Sequence, residues 1–511
     1  MRKTAAFLYP VLCLLSIGCG TAAAPATTTK AAPKTVEAPF RFNEVTVAEL
    51  QRRMESGGLR AEALVEAYLE QIEKLNPKLN AVISLLPDAV AVARALDEER
   101  ASQGPRGPLH GIPIIIKDNI AVVGVPNTAG SSALAGVPVT EDAPLVTALR
   151  EAGAVILGKA NLSEWANFRG RRSSSGWSAV GGQTRNPYVL DRTPCGSSSG
   201  SGVVVAANLT VLAIGTETDG SIVCPSAING IVGLKPTVGA ISGDGVVPIS
   251  FTQDTAGPMA RTVADVAAAF AALTSSAETL SPMPLNGIRL GVATNLASFT
   301  PGAEREFNAT LDALRAAGAE LVDVKLESPD GEKELKVLLH ELAPTMEKYL
   351  AKYAPTAPVK SVDDLIRWNR EHPEELRWYG QEWFEASVET GGIADPAYIK
   401  ARNQNVAAAR SMIDSVLADN RIVAILAPTR AAAWPIDTLH GDRALGGSST
   451  TSAVAGYPIL TLPMGFVEEL PVGISLIGTA DSEWRLLNVG ASIEEARSVR
   501  KPPKMLPTLI P

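Results

Sequence analysis

The stretch Pro194-Cys195-Gly196-Ser197-Ser198-Ser199-Gly200-Ser201-Gly202 packs four serines among glycines and a proline. Its inner five residues, Gly196 to Gly200, satisfy G-x-S-x-G, a pattern that can lift a nucleophilic serine, here Ser198, onto a sharp strand-to-helix turn. That device needs a buried strand leading in. The lead-in Asn186-Pro187-Tyr188-Val189-Leu190-Asp191-Arg192-Thr193-Pro194 instead carries two prolines and four polar residues, so the context fails. A phosphate loop fails too, because no Lys-Ser/Thr follows the glycines. An S-x-x-K match at Ser498–Lys501 lies in a proline-rich tail and is a chance match. A plain glycine-serine loop remains possible on this stretch alone.

Its neighbours change that. An apolar run at 211–214 reads as a strand and enters Gly215-Thr216-Glu217-Thr218-Asp219-Gly220-Ser221, a second polar turn with a serine after glycine. Such a turn can aim successive backbone N–H groups at one point, as a developing oxyanion requires. Upstream, Ile112 to Ile116 reads as a buried strand ended by Lys117-Asp118-Asn119. A serine hydroxyl is a weak nucleophile that needs a base, and a lysine can serve when burial keeps it neutral. Two serine turns and a lysine could therefore form a hydrolytic site without histidine. Taken singly, Lys117 reads more readily as a solvated charge and Ser221 as an ordinary turn residue.

Together with further blocks these residues resemble the amidase signature family. The blocks are Gly196 to Ser201, Gly220-Ser221-Ile222, Gly230 to Thr237, His110 to Pro113 leading to Lys117-Asp118-Asn119, Gly158 to Glu164, Asp254 to Arg261 and Ala455 to Pro458. They keep the family's order over roughly residues 44–497. The resemblance implies an α/β fold, a mixed central β-sheet covered by helices, and an amidase that needs no cofactor or metal. It implies a Ser-Ser-Lys triad in which Ser221 is the nucleophile that forms an acyl-enzyme. Ser197, expected on a cis peptide bond, relays the proton and Lys117 is the base. The backbone N–H groups of Thr218, Asp219, Gly220 and Ser221 would form the oxyanion hole.

Two departures from the family's pattern matter: Asp219 stands where most members have glycine, and Val223 where most have arginine. The second removes an expected partner of Glu217. The Asp219 carboxylate, if it enters the pocket, disfavours acidic acyl groups. The variant string Thr216 to Pro225, with Arg192 to Gly196 upstream, looks like the bacterial branch that deamidates C-terminal peptide amides. The implied substrate is a small-molecule or short peptide amide. The rival readings are an amidase of aryl or aliphatic amides, an inactive binding lipoprotein, and the catalytic part of a tRNA-dependent amidotransferase.

The rest of the chain fits a large enzyme domain. Of 511 residues, 46% are hydrophobic and 20% charged, and the net charge of −8 offers no basic field for nucleic acid. Arg2 and Lys3 precede an apolar run from Ala5 to Leu15, too short to span a bilayer and shaped like an export signal. It ends in a lipobox-like Leu15-Ser16-Ile17-Gly18-Cys19, with Ala22-Ala23-Ala24 as a competing cleavage site. Residues 1–19 are therefore expected to be an export signal and 20–43 an Ala/Thr/Pro-rich linker. Residues 44–500 are read as one domain and 501–511 as a Pro-rich tail. The protein is expected in the periplasm, anchored at most by an N-terminal lipid, or secreted.

Cys195 and Cys224 are left for the folded part; they could pair, but buried free thiols are the simpler expectation. No metal motif occurs. Helices are expected from Thr46 to about Gly57, at about 60–75 ending before Pro77, and at 142–152, 203–208, 262–273, 304–317 and 483–496. Further strands are expected at 154–157, 288–292, 321–324, 422–426, 459–462 and 473–477. Residues 328–400, charged and strand-poor, are read as a helical insertion.

Overall fold

Isoleucine at three successive positions, Ile114, Ile115 and Ile116, can be buried on both faces only inside a covered sheet, and all three are fully buried. They lie within an eleven-stranded mixed sheet. The computed structural model describes residues 40–296 and 300–509, so the expected export signal, Cys19 and Ala24 lie outside the described residues. Phe42 begins the compact unit that holds everything discussed below.

In chain order the strands are β1 (Val82–Leu85), β2 (Pro113–Lys117), β3 (Val155–Ala160), β4 (Trp177–Ser178), β5 (Gly182–Gln183), β6 (Leu212–Glu217) and β7 (Val232–Lys235). There follow β8 (Thr255–Ala260), β9 (Arg289–Val292), β10 (Glu320–Asp323), β11 (Ile425–Pro428), β12 (Ile459–Val467) and β13 (Leu470–Ile477). The large sheet runs β1-β3-β2-β6-β8-β7-β12-β13-β11-β9-β10, and β4 pairs only with β5. Strands β3, β2 and β6 are mutually parallel. At the far side, β11, β9 and β10 are parallel as well. The pairs from β6 through β8, β7, β12 and β13 to β11 are antiparallel.

Local signals hold where the sequence carried them. The Thr46 hydroxyl caps the helix Val47–Glu55 by accepting from Glu49 N at 3.3 Å. Helices also form at Pro144–Glu151, Val263–Thr274, Pro301–Ala316 and Glu483–Ala496, close to their expected limits. Four differences are informative. The helix Ala61–Leu79 runs through Pro77 and stops at Asn80, which takes a left-handed conformation. The Asn76 side chain accepts from Ala81 N and Val82 N and so ties the helix end to β1. The helix Ala89–Gln103 and strands β1, β7 and β8 were not anticipated. Strand β8 contains Gly257 and Pro258, poor strand residues; Pro258 is tolerated because pairing to β7 stops at Met259.

The fourth difference concerns the glycine-serine stretch. The helix expected from Val203 begins at Ser199 and runs to Ala206, fully buried and packed on β2, β6 and β8. Glycine is present for closeness: a Cβ on Gly200 would sit 2.4 Å from the carbonyl oxygens of Ala81 and Asn161. Beyond the central strands, helices occupy Gly331–Tyr353, Val362–Glu371, Glu382–Val388 and Pro396–Asn420, so helical structure continues past residue 400.

Candidate active site

Strands β2 and β6 lie side by side and parallel, so Lys117 and Thr216-Glu217 arrive together at their carboxyl ends, where open sheets place ligand sites. Lys117 is fully buried. Its ammonium nitrogen reaches Ser197 Oγ at 2.7 Å, Thr216 Oγ1 at 2.8 Å and the Thr216 carbonyl at 3.3 Å. Asn119 Nδ2 donates to the same Thr216 hydroxyl at 2.9 Å. Burial lowers the Lys117 pKa to about 7, against the opposing pull of the Asp254 and Glu217 carboxylates.

Two other lysines are equally buried but differently occupied. Lys159 pairs with Asp118 at 3.1 Å and donates to Asn127 Oδ1 and the Ile120 carbonyl. Lys235 donates to the Pro236 carbonyl, and burial lowers its pKa to about 8 while the Glu217 carboxylate opposes that shift. Only Lys117 of the three is bonded to a serine hydroxyl among the described residues.

The first serine turn is built around a cis Gly196–Ser197 peptide bond, as expected for Ser197. A Cβ on Gly196 would fall 2.1 Å from Ser163 Oγ, so this turn demands glycine. Ser198 lies inward: its hydroxyl donates to the Thr216 carbonyl at 3.0 Å and accepts from Thr216 N at 3.2 Å. Fully buried, it is sealed off from any substrate. Its backbone N–H donates to the Ser221 carbonyl at 3.2 Å, coupling the two serine turns.

Ser221 is 8% exposed and lines a cleft of about 330 Å³. Its hydroxyl has no hydrogen-bond partner among the described residues. Gly220, at φ +78°, turns the chain ahead of it. The N–H groups of Thr218, Asp219, Gly220 and Ser221 likewise have no acceptor among the described residues. Two carboxylates hold this turn. Glu217 Oε2 accepts from Ile222 N at 2.7 Å and Val223 N at 3.0 Å. Asp254 accepts from the Thr218 hydroxyl at 2.6 Å and from Ile249 N and Ser250 N, and burial raises its pKa to about 6. The partner that Glu217 was expected to lack is thus replaced by backbone N–H groups and the nearby Lys235 charge.

A covalent staple joins the two turns. Cys195 and Cys224 form a disulfide with Cα atoms 6.0 Å apart, which corrects the expectation of free thiols. The fold places two residues separated by 29 positions within bridging distance. Asp219 also has a definite place: its oxygens accept from Ser449 Oγ at 2.5 Å and Thr450 Oγ1 at 2.8 Å. Thr216, Asn119, Asp254 and Arg430 belong to the site without having been singled out from the sequence. Asp254 did open a quoted block; Arg430 carried no sequence signal. Among the described residues no group of histidine, cysteine or acidic side chains converges as metal ligands would.

The family described as Amidase matches residues 63–487. A probable amidase of Arabidopsis thaliana is 37% identical over 91% of this chain and 93% of its own. A putative amidase of Schizosaccharomyces pombe is 35% identical, covering 91% of this chain and 87% of its own. The crystal structure of native peptide amidase from Stenotrophomonas maltophilia superposes with a TM-score of 0.86 at 47% identity, covering 91% of this chain and all of that one.

Proposed function

The chain belongs to the amidase signature family and is an amide C–N hydrolase; from that premise we propose that it deamidates C-terminal peptide amides through a Ser221–Ser197–Lys117 triad. The observation that carries this reading is the bond from buried Lys117 to Ser197, beside a turn whose serine hydroxyl is open to the cleft. Neutral Lys117 takes the Ser197 proton as Ser197 takes the Ser221 proton, and Ser221 Oγ attacks the amide carbon. The four unpartnered N–H groups of residues 218–221 receive the oxyanion. Collapse returns the proton to nitrogen and expels ammonia, leaving an ester on Ser221. Water then attacks this ester, giving the free carboxylic acid and restoring the serine. The peptide amide as substrate is supported by the likeness to peptide amidase and by a cleft large enough for an acyl chain.

Ammonia release from a C-terminally amidated dipeptide is the decisive measurement. Release that Ser221→Ala abolishes is expected; no release from any amidated peptide or simple amide would sink the assignment. We also propose that the chain is exported and lipidated at Cys19. The disulfide supports an oxidising compartment, and loss of radiolabelled lipid incorporation in Cys19→Ala is the expected outcome. Equal incorporation in that variant would refute lipidation at Cys19.

A further inference from the structure

Arg430 lines the cleft beside the Ser221 turn, yet it forms no hydrogen bond or ion pair with any described residue. Its Nε is wholly buried without a partner. One terminal nitrogen lies 3.8 Å from the point a Cβ on Gly220 would occupy, so the guanidinium stands one side chain's width from the oxyanion turn. A guanidinium nitrogen buried without an acceptor is costly, and the half-buried Arg430 in the cleft is a donor awaiting one.

The acceptor's chemistry follows from the surroundings. Asp219, Asp442 and Glu217 are the acidic groups whose charges act on Arg430. Asp219 is held by Ser449 and Thr450, and Asp442 by Ser175 and Trp434. A substrate carboxylate entering here would be repelled by these anions, whereas a neutral carbonyl oxygen carries no net charge for them to repel. In a peptide amide the leaving group is only ammonia, so the whole remaining chain must lie on the acyl side, along this wall. The nearest carbonyl beyond the scissile one belongs to the preceding peptide bond.

We infer that Arg430 is a specificity-determining residue that donates to the carbonyl oxygen of the peptide bond preceding the scissile amide. The substrate class is therefore acylamino-acid amides in preference to simple carboxamides. This inference rests on the amide-hydrolase reading above. Two substrates with the same reacting amide and the same phenyl group isolate the contact. N-acetyl-phenylalaninamide carries the preceding carbonyl, and 3-phenylpropanamide lacks the acylamino group.

The ratio of their kcat/KM values is the readout. The native enzyme should favour the acetylated amide, and Arg430→Met should lower the ratio by about tenfold or more, as loss of a charged hydrogen bond implies. Arg430→Lys, which keeps the charge but not the planar fork, should give an intermediate ratio and covers the case in which the methionine variant does not fold. An unchanged ratio in either variant, or equal losses on both substrates, would overturn the inference. A native enzyme that turns over both amides equally well overturns it alone. One that turns over neither, and releases no ammonia from any amidated peptide or simple amide, overturns the hydrolase reading as well.

Discussion

Lys117 carries its charge at the expense of lost hydration, with hydroxyl and carbonyl oxygens in place of a carboxylate partner. Its pKa near 7 is the consequence, and it sets the sign of the pH dependence. Protonated Lys117 has no lone pair for the Ser197 proton. The kcat/KM for an amidated peptide should therefore fall as pH drops through about 7 and level off above it; a flat profile between pH 5 and 9 would remove Lys117 as the base. Lys117→Met, Ser197→Ala and Ser221→Ala should each cut kcat by about a thousandfold or more, and pairwise combinations should add little, as the proposed triad requires of groups that act as one unit. Stability separates Lys117 from its buried neighbour. Lys159→Met strands the Asp118 carboxylate and should cost about 3–5 kcal/mol. Lys117→Met leaves no such orphan and should unfold at a similar or higher denaturant concentration than the native protein.

At the scale of the element, two turns that each lead into a helix are brought into register. One enters the helix Ser199–Ala206 and the other leaves β6 for the helix Val223–Ile228. The Cys195–Cys224 bond closes a loop of 29 residues between them, worth up to about 3–4 kcal/mol by chain entropy. Cys195→Ala combined with Cys224→Ala should lower the thermal midpoint and reduce kcat, because Ser197 and Ser221 lie within three positions of the bonded cysteines. An unaltered melting curve would show that packing alone holds the turns. Elements with periodic apolar residues and explicit caps, such as Val47–Glu55 and β2, are legible along the chain. The start of the helix at Ser199 is not, since Ser-Gly-Ser-Gly has weak helix propensity and is held by burial against β2, β6 and β8. Strand β8 is hidden likewise, because its register depends on β6 and β7 and its own residues carry no strand pattern.

Across the whole molecule, the segment behind the cleft is joined to the helical region by buried charge. Arg169, fully buried, pairs with Glu164 and lies 3.7 Å from Glu375, and its guanidinium sits 4.1 Å from the centre of the Tyr379 ring. Arg169→Met would leave two buried carboxylates facing each other and should destabilise by about 3–5 kcal/mol in denaturant unfolding. Little change there would show that this buried cluster adds no net stability. The sequence by itself determined the chemical groups, their order and most of the strands that present them, because side-chain type and apolar periodicity are local properties. Tertiary structure decided which lysine meets a serine hydroxyl, what replaces the missing partner of Glu217, that the two cysteines bond, and where Arg430 points. Each of those depends on desolvation and on neighbours far along the chain: Lys117 meets Ser197 across 80 positions and Asp219 meets Ser449 across 230. The glycine-serine stretch shows the division most clearly, for its residues named the chemistry while burial alone set Ser197 beside the lysine and turned Ser198 away.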